Sequence, residues 1–213
     1  MPASLQEELD TITANTRILV QPERLEVSER AIGELFATGI EGRVAQAGQR
    51  APEFLLPDAN GKLVRSSDLL AIGPVVVNFF RGRWCPYCVT ELERWRDLYP
   101  ALRERKALLV SISPQTVRHN DFTVQQHSLP FPLLSDQGNA LARQFGLAYT
   151  LPEYQQRYFR SIMVNIPYVN GDDSWALPLP ATFVIGRSGD ILFAEAHADF
   201  RVRPQPEEIL SLL

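Results

Sequence analysis

Residues 75–80, Val-Val-Val-Asn-Phe-Phe, run straight toward Cys85-Pro86-Tyr87-Cys88, which holds the only two cysteines of the chain. Three adjacent valines in a short apolar run suit a strand buried on both faces. Downstream, Cys88, Leu92, Trp95, Tyr99 and Leu102 fall on one face of a helix. Pro86 suits the first turn of that helix, where its missing N–H costs nothing. A buried strand that turns into a helix at a Cys-x-x-Cys pair leaves few folds open, and it locates the chemistry.

The remaining periodicities build around that unit. Ala107–Ser113 reads as a second buried strand, followed by a polar helical segment around 115–127. Phe131–Asp136 reads as a short extended segment, and Gly138–Phe145 as a helix closed by Gly146. Ala181–Gly186 and Ile191–Ala196 pair across Arg187-Ser188-Gly189-Asp190, and a helix over 207–213 ends the chain. Upstream, Asp58-Ala59-Asn60-Gly61 marks a hairpin between two short runs. Residues 3–47 are helical, with Leu5, Leu9 and Ile12 at helical spacing and Ile32, Leu35, Phe36 and Ile40 again after Pro22. Residues 148–178 read as irregular. The expectation is an α/β domain over 51–213, a three-layer sandwich with a mixed central sheet. A helical extension over 1–50 acts as a cap, with a dimerisation arm, and so a homodimer, as the alternative.

With 213 residues, 45% hydrophobic and 22% charged, the chain suits one domain with embellishments. A net charge of −4 gives no electrostatic reason to bind nucleic acid or acidic membranes. No apolar run approaches the ~20 residues of a membrane helix. The first ten residues carry acids where a secretory signal has basic and apolar segments. The expectation is a soluble, cytoplasmic protein. In such a reducing compartment a Cys-x-x-Cys pair is catalytic or metal-binding. His119, His127 and His197 stand far from the pair in sequence and lack ligand spacing, so no metal is expected. No Gly-rich phosphate loop follows a strand, so no nucleotide or flavin cofactor is expected either.

A helix N-terminus stabilises negative charge, and cysteines in such motifs ionise at about 3.5–7.5. Arg81 and Arg83 add positive charge in the sequence on either side of the turn. Trp84 shields one side of the pair or simply packs. Glu91, one turn on, caps the helix or pairs with an arginine. The aromatic-rich segment 149–175 either walls the approach to the cysteines or packs as an ordinary insertion.

Trp84–Cys88 on a strand–helix turn, with Leu179-Pro180-Ala181-Thr182-Phe183 far downstream, resembles the thioredoxin superfamily. The segments 51–70 and 131–147 and the Cys88-x-x-Glu91 spacing resemble the alkyl hydroperoxide reductase/thiol-specific antioxidant family, the peroxiredoxins. The branch with Trp-Cys-Pro-Tyr-Cys is the best match, through Asp172–Ala181 and Asp199–Pro206. The resemblance implies thiol-dependent reduction of hydrogen peroxide or organic hydroperoxides, with thioredoxin, glutaredoxin or a small thiol as electron donor. It implies Cys88 as the peroxidatic cysteine, Cys85 as the resolving one, and a cis-proline at Pro180 facing them. It also marks departures: Arg81 stands at the family's proline position, Cys85 at its threonine and Pro180 at its arginine. Arg81, Arg83 or Arg203 are the candidates to replace the lost donors; for Arg203 the alternative is a solvated surface charge. Two other readings remain open: thioredoxin-like disulfide exchange led by Cys85, and a redox sensor or partner-binding module without turnover.

Overall fold

The structure is a computed structural model describing residues 3–213. Helix α1 (Leu5–Leu19) begins at a reciprocal cap. Ser4 Oγ accepts from the Glu7 N–H, and Glu7 Oε2 accepts from the Ser4 N–H at 2.7 Å. Helix α2 (Pro22–Ala37) starts on its proline. Then come strands β1 (Leu55–Pro57) and β2 (Leu63–Arg65), the expected hairpin, and helix α3 (Ser66–Ile72). The central unit follows: β3 (Val75–Phe79), α4 (Pro86–Glu104), β4 (Leu108–Ser113), α5 (Val117–His127) and β5 (Leu133–Ser135). Next are α6 (Ala140–Gln144), β6 (Ala148–Thr150), α7 (Glu153–Ser161), α8 (Ile166–Asn170) and β7 (Ala176–Pro178). The chain closes with β8 (Ala181–Ile185), β9 (Ile191–Ala196) and α9 (Pro206–Leu210).

Five strands form a mixed sheet in the order β5-β4-β3-β8-β9. β3 pairs parallel to β4 and antiparallel to β8, so it is hydrogen-bonded on both edges. Its side chains alternate between two cores, as strand geometry requires. Val75, Val77 and Phe79 join a layer with Phe145 and Phe183; Val76 joins Leu92, Trp95 and Leu109 on the other face. That explains why the run is apolar at every position but one. Its one polar residue, Asn78, is fully buried and is accounted for by the site below.

Helix α1 lays Leu5 and Leu9 into the core shared with α4, while Ile40 and Val44 enter the other core. Gly146 secures this junction. Its φ of 75° is left-handed, and an added Cβ would overlap the Arg43 carbonyl.

Two expectations change. The helix read over Gly138–Phe145 starts only at Ala140, because Gly138 and Asn139 are left-handed and the Asp136 carboxylate caps the Leu141 and Ala142 N–H groups. Residues 148–178, read as irregular, hold two strands and two helices. Leu151, Phe159, Ile166, Trp175 and Leu177 form a third small core there, too widely spaced in sequence to show a period.

Candidate active site

Strand β3 ends at the carboxyl edge of the sheet, and residues 80–85 turn the chain into α4. Gly82 has φ of 147°, and a Cβ there would press on the indole of Trp84 at 2.5 Å from Nε1. Across the turn, Gln115 Oε1 accepts from the Arg83 N–H at 2.8 Å, anchoring it to the loop after β4.

Cys85 is the N-cap of α4 and Cys88 lies in its first turn. Both thiols are free and buried, Cys85 2% exposed and Cys88 0%. Only Cys85 borders the adjoining cavity, so it is the sulfur an incoming molecule meets first. Burial opposes its ionisation. Hydrogen bonding from Cys88 and the charges of Arg81 and Arg203 outweigh that and bring it down to about 6. Cys88 is pushed well up by burial, by its hydrogen bond to Cys85 and by the neighbouring thiolate. One sulfur is thus held as thiolate and the other as thiol.

The two arginines come from distant parts of the chain. Arg81 is 2% exposed, and its guanidinium lies 4.9 Å from the ring centre of Trp84 and 4.3 Å from that of Phe200. Arg203 is 4% exposed, with Nη2 3.7 Å from Cys88 Sγ. It also donates to the carbonyls of Phe200 and Val202. Arg203 Nε donates to Glu91 Oε2 at 2.8 Å, and Asn78 Nδ2 donates to Glu91 Oε1 at 2.8 Å. Glu91 bears the cost of this burial: desolvation pushes its carboxyl up to about 7 against the pull of Arg203, which stays charged.

The expected site residues therefore separate. Cys85, Cys88, Arg81 and Arg203 converge, and Arg203 is no surface charge. Trp84 borders the cavity and packs edge-on against Phe159, so it both shields and packs. Arg83 turns outward instead. It is exposed over Phe122. Pro180 precedes β8, whose Ala181 pairs with Phe79, and so stands at the same sheet edge. It is not cis, since the described residues contain no cis peptide bond. β7 runs almost directly into β8 with the Leu179 N–H bonded to the Leu147 carbonyl, so no tight turn opposes the intrinsic trans preference. Glu91 pairs with an arginine, one of its two expected roles. Asn78, Tyr87 and Phe200 went unremarked. An asparagine inside a buried apolar run was the one available signal among them.

A cysteine pair at the N-terminus of a helix that follows a central strand of a mixed sheet defines a thiol oxidoreductase of thioredoxin-like fold. A family model, AhpC/TSA, matches residues 47–194. The chain belongs to the AhpC/TSA family and is a peroxiredoxin-like thiol peroxidase, which implies a peroxide substrate and a thiol reductant. Among solved structures, peroxidoxin BcpB from Mycobacterium tuberculosis is similar, with TM-score 0.61 and 27% identity over 78% of this chain and 94% of that one. Among sequences, chloroplastic peroxiredoxin Q of Populus jackii is 33% identical over 100 residues, 47% of this chain and 46% of that protein. Thiol-disulfide oxidoreductase ResA of Bacillus thuringiensis subsp. konkukian is 24% identical over 149 residues, 69% of this chain and 68% of that protein. No helix among the described residues is long and apolar enough to cross a membrane.

Proposed function

We propose that the protein reduces hydroperoxides in the cytoplasm with Cys85 as the attacking sulfur and Cys88 as the resolving one. The observation that carries this reading is the asymmetry of the pair: Cys85 is the lowered, cavity-facing thiol and Cys88 the raised, enclosed one. The order is the reverse of that implied by aligning Cys88 with the family's peroxidatic position.

The Cys85 thiolate attacks the terminal peroxide oxygen, and the O–O bond breaks. Cys85 becomes a sulfenic acid, and the remaining oxygen leaves with a proton as water or an alcohol. Arg81, which lines the cavity, stands in for the family's missing donors by stabilising the charge on that leaving oxygen, while Arg203 holds the pair from the enclosed side at Cys88. Cys88 then gives up its proton and attacks the Cys85 sulfur, releasing water and closing the disulfide. A dithiol donor such as thioredoxin or glutaredoxin, or two small thiols, restores the pair.

Dimedone trapping after one equivalent of hydroperoxide tests the order. A sulfenic acid on Cys85 in Cys88→Ser, with none in Cys85→Ser, is expected. A sulfenic acid on Cys88 in the Cys85→Ser protein, at wild-type rate, overturns the assignment.

Disulfide exchange is the second reading, favoured by the same exposure of Cys85 and by the likeness to ResA. Its signature is a mixed disulfide on Cys85 with a protein substrate, formed faster than peroxide is consumed.

A further inference from the structure

The space in front of Cys85 is a cavity of about 190 Å³ walled by α1, α2 and α7. Thr13 and Arg17 come from α1, Leu25 and Ser28 from α2, and Tyr158 and Phe159 from α7. The two N-terminal helices lie outside residues 47–194, so one wall of this enclosure is built by chain that the family model does not match.

The two helices are held differently. α1 buries Leu5 and Leu9 in the core beside α4, and Thr13 Oγ1 shares a hydrogen bond of 3.1 Å with Tyr87 Oη. α2 has one buried residue among its sixteen, Ala31, and Leu35 adds a half-buried contact to the main core. Polar ties on its surface do the rest. Glu29 accepts from Arg201 at 2.6 and 3.1 Å, and Glu34 accepts from the Tyr154 hydroxyl at 2.7 Å, with Arg30 over the same ring. Exposed ties of this kind are individually weak. α2 is thus a cover fastened over the cavity.

The chemistry of thiol–disulfide exchange sets what can pass this cover. The attacking sulfur must reach Cys85 Sγ nearly in line with the Cys85–Cys88 bond, and access limits the rate. Both sulfurs are buried, and Cys85 alone borders the cavity. A protein dithiol brings main chain on both sides of its cysteine, whereas a small thiol brings only itself. An apolar cavity of about 150 Å³ holds one benzene molecule. The present one therefore takes a single small thiol and no protein loop.

We infer that α1 and α2 select the electron donor: a low-molecular-weight monothiol reduces the Cys85–Cys88 disulfide, and protein dithiols are shut out. The first donor thiolate attacks Cys85 and the Cys85–Cys88 bond breaks. Cys88 leaves with the electron pair beside Arg203 and takes up a proton. A second donor thiolate attacks the donor sulfur of the mixed disulfide, forming the donor disulfide and releasing Cys85 as thiolate. Two thiols are oxidised and two cysteines reduced. The inference rests on the peroxidase reading, since exchange with protein disulfides needs Cys85 within reach of another chain.

The test starts from protein oxidised with diamide, so that only the reductive half is read. Cys85 and Cys88 thiols are counted by alkylation and mass after acid quenching. At equal thiol concentration, L-cysteine should reduce wild type at least as fast as thioredoxin or glutaredoxin does. Glu29→Lys/Glu34→Lys sets like charges against Arg201 and Arg30 and frees α2. There the thioredoxin rate should rise about tenfold, the scale of two surface ties, while the L-cysteine rate stays within about twofold. A faster protein dithiol in wild type, or no reduction by L-cysteine, overturns the inference. So does a variant whose thioredoxin rate is unchanged or rises only as much as its L-cysteine rate. Hydroperoxide consumption is measured apart. Its absence while donor selection holds sinks the peroxidase reading alone; its presence while a protein dithiol wins sinks this inference alone.

Discussion

Glu91→Gln isolates the energetic consequence of burying a carboxylate behind the cysteines. In the folded protein Glu91 titrates at about 7, against 4.5 for an ordinary glutamate. Between those values the folded state holds a proton that the unfolded chain has released, so stability falls as pH rises. At about 1.4 kcal/mol per pH unit, the gap is worth about 3 kcal/mol. Glutamine keeps the shape and can still accept from Arg203. Asn78 can turn its amide so that its unpartnered Oδ1 accepts from the new amide, and no group is left to titrate. The measurement is urea unfolding of both proteins under reducing conditions across the range from about pH 4 to pH 8. Groups common to both, Cys85 included, drop out of the difference. Wild type should lose about 3 kcal/mol relative to the variant over that range, most of it between about pH 4.5 and 7. A difference that stays flat, or that rises with pH, refutes the account of Glu91 as a carboxylate raised by burial.

Other outcomes follow from the same geometry. Arg203→Met removes the charge that pulls Glu91 down, so folded Glu91 should keep its proton to higher pH and the loss of stability with pH should continue above about pH 7, read by urea unfolding. The same variant, and Arg81→Met, should raise the pH at which thiolate absorbance at the cysteines is half developed above the wild-type value of about 6. With the proposed order, in which the Cys85 thiolate attacks, the wild-type hydroperoxide rate should climb through about pH 6 and level off above it. Gly146→Ala forces a side chain into a left-handed position against the Arg43 backbone and should cost about 3 kcal/mol in thermal or urea unfolding.

The central strand, the helix after it and the place of the cysteines between them were legible in the sequence. Local rules govern all three: an apolar run needs cover on both faces, and a proline after Cys85 starts a helix. Family likeness added the peroxidase reading through motifs that are also contiguous. The segment 148–178 was not legible, because its core is assembled from residues spread between Leu151 and Leu177 that meet only after folding.

By itself the sequence determined that two thiols sit at a helix N-terminus on a thioredoxin-like sheet, since that follows from residues adjacent in the chain. Only the tertiary structure decided how the two sulfurs differ and what faces them. Arg203 reaches Cys88 from the far end of the chain, and Glu91 neutralises part of that charge from inside the helix. Helices α1, α2 and α7 enclose the cavity on Cys85 alone. Charge and exclusion of water at a sulfur depend on every group within a few ångströms, whatever its distance in sequence, and that proximity exists only in the folded chain.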